Sequence, residues 1–419
     1  MERPSASRSI AFDPVRRLAV LSLHTSPLVQ PGVGDSGGMN VYVRELVSSL
    51  AQAGVRSTVY TRRWDDELPN VVEVEPGFRV VHVPAGPVDL AKERLPEVVD
   101  EFAQGVLADL RAVDDVDAIH ANYWLSGIAG HAVKHALDIP LVSTFHTLAR
   151  VKAETGDAEP QRRIDAELEV MRCCDAITAS CPAEAQQLRR LYGVPPDRIQ
   201  LVPPGVIHAF FSPGDRRGAQ RALGLSADGR PVLLFVGRIQ PLKGVDVAIG
   251  ALAELSSLDA ELVIVGGPSG PDGDAEAAKA RALAEELGVD GRVHWVSPQP
   301  HHRLATYYRA ADVCVVPSRS ESFGLVALEA AACGTPVVAA AVGGLRTLVE
   351  HGRTGFLVED RDPGAFAARI DDVLRDHTRA AVMGAAAAAH ARGFTWSTTA
   401  ARLRRLYADL TTRALVDCA

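Results

Sequence analysis

The 419-residue chain has no basic surplus: 44 Lys and Arg stand against 52 Asp and Glu, a formal net charge of −8. That balance argues against a nucleic-acid binder, whose affinity rests on neutralising phosphates, while leaving room for a local basic pocket. Long apolar runs are missing as well. The least charged stretch, "GLVALEAAACGTPVVAAAVGGL", is broken by Glu329, Gly334 and Pro336, whereas a membrane-spanning helix needs about 20 apolar residues. Residues 1–17, "MERPSASRSIAFDPVRR", have no apolar centre and read as a disordered tail, not a secretion signal. Cysteine is scarce and unpatterned. Cys173, Cys174, Cys181, Cys314, Cys333 and Cys418 form no C-x-x-C pair and do not alternate with histidine at metal-ligand spacing, which argues against zinc. All six read as small core residues in a reducing cytosol. The expectation is a cytoplasmic protein without stable membrane insertion.

What is present is a repeating alternation. "RLAVLSLH", "RSTVYT", "FRVVHVP", "AIHAN", "PLVSTFH" and "AITAS" read as strands in the first half. "VLLFVGR", "ELVIVGG", "VHWVSP", "VCVVPS", "PVVAAA" and "GFLVE" do so in the second. Helical patterns such as "MNVYVRELVSSLAQAG" and "DAEAAKARALAEELG" separate them. Continuous apolar strands alternating with helices indicate parallel sheets covered on both faces, the doubly wound α/β class. The series restarts after "LVPPGV", so residues 18–203 and 204–395 read as two Rossmann-like domains facing a cleft. Residues 396–419 read as a last helix packing back toward the first domain. Ligands of such folds bind outside the carboxyl ends of the strands.

Several segments carry chemistry. "GVGDSGGMN", Gly32 to Asn40, puts four glycines, an acid and an asparagine between a strand and a helix. It lacks the spacing of a dinucleotide or nucleoside-triphosphate loop, yet its free N–H groups at a helix start can hold an anion. "GRIQPLKG" delivers Arg238 and Lys243 five residues apart at a strand end, suited to a diphosphate. Glu321 and Glu329 bracket a strand-to-helix turn, where a carboxylate can accept paired sugar hydroxyls. "HANYWLSG" and "STFHTLARVK" place Tyr123, His146, Thr147 and Lys152 at strand ends that converge on the same cleft.

These segments resemble the retaining nucleotide-sugar glycosyltransferases of the GT-B fold. "GRIQPLKG", "SESFGLVALEAAACGTPVVA" and "EHGRTGFLV" carry the likeness, and Glu321/Glu329 match the family's E-x(7)-E motif. "SLHTSPLVQPGVGDSGGMNVYV", "NYWLSG" and "HTLARVK" are similar to the members that glycosylate inositol phosphate, from roughly Leu18 to Leu410. The resemblance implies transfer of N-acetylglucosamine from UDP-N-acetylglucosamine to an inositol phosphate, with retention. It implies that Arg238 and Lys243 stabilise the departing diphosphate, that Glu321 holds the sugar and that Glu329 holds the ribose. Gln30, Pro31, Gly38 and Gln299 would lie beside the donor. His24, Asp35, Ser36, Gly37, Gly38, Met39, Asn40, Lys92, Tyr123, Thr147 and Arg163 would form the acceptor pocket. Arg163 is preferred to Arg162 because it keeps the family's spacing to Glu167. Arg238, Lys243, Glu321 and His146 would be the catalytic set. The resemblance also implies no organic cofactor, a structural magnesium near Tyr308, Arg309, Ala311 and Thr335, and a homodimer. Two positions depart from the family: Ile207 where an acid is common after "PGV", and Gln299 where an arginine can approach the nucleotide. Alternatives are a related transferase with another acceptor (mannosyltransferase or sucrose-phosphate synthase-like) and a non-catalytic sugar-nucleotide-binding protein.

Overall fold

The run Arg17–Leu21 is buried along nearly its whole length, so it fits only a sheet covered on both faces. The computed structural model describes residues 15–418 apart from 33, 35, 113–115, 157–158, 226–228, 256–257 and 271–272. In it this run is β1, an inner strand of an eight-stranded sheet. The others are β2 (Arg56–Arg62), β3 (Val71–Glu75), β4 (Phe78–Val83), β5 (Ala118–Asn122), β6 (Leu141–Thr144), β7 (Ala176–Ala179) and β8 (Ile199–Leu201). Their order is β3-β4-β2-β1-β5-β6-β7-β8, parallel except for β3 against β4. A second, wholly parallel sheet holds β9 (Val232–Val236), β10 (Glu261–Val265), β11 (Val293–Val296), β12 (Val313–Val316), β13 (Val337–Ala340) and β14 (Gly355–Val358). Its order is β11-β10-β9-β12-β13-β14. Both sheets are doubly wound, and each reverses its strand order beside its first strand, between β1 and β5 and between β9 and β12. Those two switch points face each other across the cleft.

Edges account for the strands that the sequence pattern does not reveal. β3 and β8 close the two sides of the first sheet, and no residue of either is buried. Neither therefore shows the continuous apolar run of a central strand. Among the described residues, no helix is long and apolar enough to cross a membrane.

The chain crosses between the sheets twice, and the two crossings pack on each other. Val206 N–H donates to the Phe394 carbonyl at 3.2 Å, and Thr399 Oγ1 donates to the Pro203 carbonyl at 2.7 Å. Gly205 sits so close to the second crossing that a Cβ there would lie 2.2 Å from the Trp396 nitrogen. The helix Trp396–Leu410 then packs on the helix Gly38–Gln52 of the first domain. Its Tyr407 hydroxyl lies 2.6 Å from Nδ1 of the buried His120.

Cys174, Cys181, Cys314 and Cys333 are buried. Cys173 and Cys418 correct the reading of six separate core thiols: their Cα atoms are 5.1 Å apart, with the sulfurs in contact. They are separated by 245 residues, beyond the reach of any local pattern.

Candidate active site

A cavity of about 820 Å³ lies between the carboxyl ends of the two sheets and takes its walls from both domains. Pro31, Gly38, Arg238, Lys243, Gln299, Glu321 and Glu329 line it from the expected donor set. His24, Gly37, Met39, Lys92, Tyr123, His146, Thr147 and Arg163 line it from the expected acceptor and catalytic sets. Gln30 sits at the rim, where its Nε2 donates across the cleft to the Pro298 carbonyl at 3.2 Å. Asp35 lies outside the described residues.

Ser36 and Asn40, also expected in the acceptor set, do not line the cavity. Asn40 Nδ2 donates to Thr25 Oγ1 and to the Ser26 carbonyl, both at 2.6 Å, and its Oδ1 accepts the Gly37 N–H at 3.0 Å. The Ser36 carbonyl accepts the Gly32 N–H at 2.8 Å. These two buried residues bond within the glycine turn and to the segment before it.

On the second domain, Lys243 ends a short turn after β9, and its Nζ lies 2.7 Å from Glu321 Oε2. Arg238 lies over the glycine turn: a Cβ at Gly37 would come 3.4 Å from Arg238 Nε. Ser269 Oγ donates to the Gly34 carbonyl at 2.6 Å and lies 3.4 Å from Arg238 Nη1, so it links both sides of the cleft. The pair Gly343–Gly344 supports Glu321 from behind. Gly344 N–H donates to the Glu321 carbonyl at 3.0 Å, and a Cβ at Gly343 would sit 1.9 Å from that oxygen. The helix Leu325–Ala332 starts directly after this turn, with Leu325 and Val326 in the cavity wall. Its positive dipole end thus faces the cavity.

Glu329 is buried with both oxygens engaged: Oε1 is 2.6 Å from His301 Nε2, and Oε2 accepts the Tyr308 hydroxyl at 2.8 Å. Burial alone would lower the His301 pKa, but the adjoining Glu329 carboxylate outweighs it and raises the value. The two form a charge-assisted pair.

On the first domain, β5 and β6 run out into Tyr123 and His146, with φ of +76° and +60°. Left-handed backbone is strained for such residues and here turns both rings toward the cavity. His146 Nε2 lies 2.9 Å from Asn122 Oδ1, and burial pushes its pKa down to about 3, so the ring is neutral. Its carbonyl accepts the Ser322 hydroxyl from the other domain. Arg163 is buried beneath Tyr123, its guanidinium 5.1 Å from the ring centre. It donates to Glu167 Oε1 at 2.8 Å and to Thr147 Oγ1 at 3.0 Å, and pairs with Glu159 Oε1 at 2.9 Å. Lys152 pairs with the same Glu159. Lys92, Lys152, Arg162 and Arg163 thus line the cavity from the first domain together with the acids Glu93, Glu154 and Glu159, and Arg238 and Lys243 line it from the second beside Glu321.

The family model "Glycosyltransferase Family 4" matches residues 36–210 and "Glycosyl transferases group 1" matches residues 217–390. The chain is 47% identical to the D-inositol 3-phosphate glycosyltransferase of Thermobispora bispora over 94% of its length and 95% of the relative's. It is 48% identical to that of Xylanimonas cellulosilytica, covering 95% and 97%. Sucrose-phosphate synthase from Thermosynechococcus elongatus superposes with a TM-score of 0.88 at 34% identity, over 94% of this chain and 99% of that one. The chain belongs to the D-inositol 3-phosphate glycosyltransferase family of GT-B enzymes. Anabaena HepE in complex with UDP-glucose shares the fold at a TM-score of 0.76 and 20% identity, covering 94% and 100%.

Several residues that shape this glycosyltransferase's cleft have contacts that the sequence does not reveal. His301 holds Glu329 from 28 positions away, and Glu167 lies fully buried between Arg163, the Ala149 N–H and the Tyr192 hydroxyl. Glu159 bridges Lys152 and Arg163. Only the order of acids and bases around "RVKAETGDAEPQRRIDAE" hints at the last two. The residues expected around a magnesium ion lie together behind the donor side: Thr335 Oγ1 donates to the Tyr308 carbonyl at 2.6 Å. Ala311 N–H donates to the same carbonyl at 3.3 Å. The Arg309 guanidinium is committed to the Phe210 and Ser212 carbonyls. These hydroxyl and carbonyl groups are hard, neutral oxygen donors of the kind magnesium takes. Ile207 packs against the apolar cores of both domains, and Gln299 bonds to the carbonyl of its neighbour Ser297 at 3.0 Å.

Proposed function

We propose that this glycosyltransferase moves N-acetylglucosamine from UDP-N-acetylglucosamine to 1D-myo-inositol 3-phosphate with retention, the opening step of mycothiol biosynthesis. The observation that carries this reading is one cavity lined by cations from both domains, Arg238 and Lys243 from the second and Lys92, Lys152, Arg162 and Arg163 from the first. A simple hydroxyl acceptor needs only the donor's cations, whereas a phosphorylated one calls for a second set, which Lys92 and Arg162 would supply with Lys152 and Arg163, the last two held in place by Glu159. Glu321 is a hydrogen-bond acceptor for the sugar and Glu329 for the ribose.

In the mechanism, the acceptor hydroxyl attacks from the face that the diphosphate leaves, and the departing phosphate takes its proton. Lys243 and Arg238 stabilise the charge that grows on that phosphate. The dipole of the helix Leu325–Ala332 adds to them. His146, neutral and bonded to Asn122, orients rather than transfers a proton. The remaining work is positioning, which the glycine turn performs at the seam between the substrates. A magnesium ion at the Tyr308 carbonyl and Thr335 hydroxyl would brace this domain without entering the chemistry. A cytoplasmic homodimer completes the reading.

The test is product analysis. UDP-N-acetylglucosamine and 1D-myo-inositol 3-phosphate should give UDP and one new α-linked glycoside, read by mass spectrometry and the anomeric proton coupling. A β-linked product, or product only with a phosphorylated hexose as acceptor, would overturn it.

A further inference from the structure

The C-terminal tail meets the back of the first domain at a cluster that the transfer reaction does not use. Helix Trp124–Leu137 carries His131 and His135 four residues apart, on one face. Cys173 ends the helix Gln161–Cys173 beside them, and Cys418 arrives from the tail. His135 Nε2 lies 3.3 Å from Cys173 Sγ and 3.1 Å from Cys418 Sγ, and His131 Nε2 lies 3.8 Å from Cys418 Sγ. All four donor atoms fall within 4.8 Å of one another. We propose that His131, His135, Cys173 and Cys418 bind a zinc ion that fastens the tail to the two helices.

A disulfide would account for the two sulfurs and leave both imidazoles unexplained; a tetrahedral S₂N₂ site accounts for all four groups. Zinc takes this donor set, with Zn–S of about 2.3 Å and Zn–N of about 2.0–2.1 Å, so donors must gather within about 4 Å of each other. The surroundings are built for it. Glu169 Oε1 lies 3.6 Å from His131 Nδ1, the ring nitrogen turned away from the sulfurs. A carboxylate in that place orients a metal-bound imidazole. A buried ion pair docks the tail independently of the sulfurs. Lys134 Nζ lies 2.9 Å from Asp175 Oδ2 and donates to the Cys173 carbonyl at 2.7 Å and the Val416 carbonyl at 3.1 Å. Val416 N–H donates to Asp175 Oδ1 at 2.7 Å. Cys418 is therefore placed at the cluster by groups that are not ligands. Two thiolates balance the ion's double charge, so the site adds no net charge beside Lys134. A scan for cysteines alternating with histidine passes over this cluster: the histidines of "HAVKH" are four apart, but the sulfurs lie 38 and 283 positions from His135.

The test counts metal in full-length protein purified with reductant and no chelator. Plasma mass spectrometry should find about one zinc per chain, falling at least about tenfold in Cys418→Ser and in His135→Gln. Both changes lie at accessible positions, and matching circular dichroism would show that the variants fold. Cobalt reconstitution should give thiolate-to-metal charge-transfer bands in the wild type only. Failure to bind either metal after reconstitution would overturn the proposal. So would zinc that both variants retain, or a Cys173–Cys418 disulfide recovered from protein kept reduced with zinc present.

Discussion

Lys243 and Glu321 touch each other at 2.7 Å, so the group assigned to the leaving diphosphate and the group assigned to the sugar form one unit. Removing Lys243 would both strip a cation from the developing phosphate charge and release the carboxylate from its position. Lys243→Ala and Arg238→Ala should each lower kcat by about 10²-fold or more, measured as UDP release at saturating donor. Unchanged turnover in either variant would contradict the assignment.

The buried histidines give a residue-scale pH prediction. Burial pushes the pKa of both His120 and His146 down to about 3. In the unfolded chain each takes a proton near its ordinary value of about 6.5. Above that pH the two states bind alike; as pH falls from about 6.5 toward 3, the unfolded state gains protons that the fold refuses. Each histidine thus costs about 1.4 kcal/mol of stability per pH unit in that window. Buried Glu167 and Glu184 have raised pKa values and act in the opposite sense. His120→Gln isolates the effect: its urea midpoint should fall less steeply between pH 6.5 and 5 than that of the wild type. Equal slopes would refute the buried-neutral account.

At the scale of elements, Gly205 is the position where geometry leaves least choice. A Cβ 2.2 Å from the Trp396 nitrogen forces the two domain crossings apart. Gly205→Ala should cost about 1–3 kcal/mol, read as a lower Tm; an unchanged Tm would mean that the crossings do not pack as described. Elements also show where sequence reading stops. Inner strands such as "VLLFV" and "VCVV" announce themselves because both of their faces are buried. β3 and β8 do not, because edge strands are half solvated. The glycine turn stood out in the sequence from its composition, and Gly37 and Gly38 line the cavity. That Asn40 serves the turn itself was not, since its partners Thr25 and Ser26 belong to the preceding segment.

At the scale of the molecule, Arg238, Lys243, Glu321 and Glu329 were readable as one group because they sit in short contiguous segments, and all four line the cavity. The acceptor end and the tail cluster assemble from pieces far apart in the chain, as with Tyr123 over Arg163 and Cys418 beside His135. Spacing cannot encode such meetings. On the proposed reading, one cleft joins a nucleotide-sugar side at Arg238 and Lys243 to an acceptor side where Lys92, Lys152, Arg162 and Arg163 meet a phosphate. The most direct measurement is UDP release from UDP-N-acetylglucosamine with 1D-myo-inositol 3-phosphate and with free inositol, at matched acceptor concentrations. The phosphorylated acceptor should give a kcat/KM at least about 10-fold higher, since losing a buried charge-assisted contact costs about 1.5–3 kcal/mol. Equal kcat/KM for the two acceptors would contradict it.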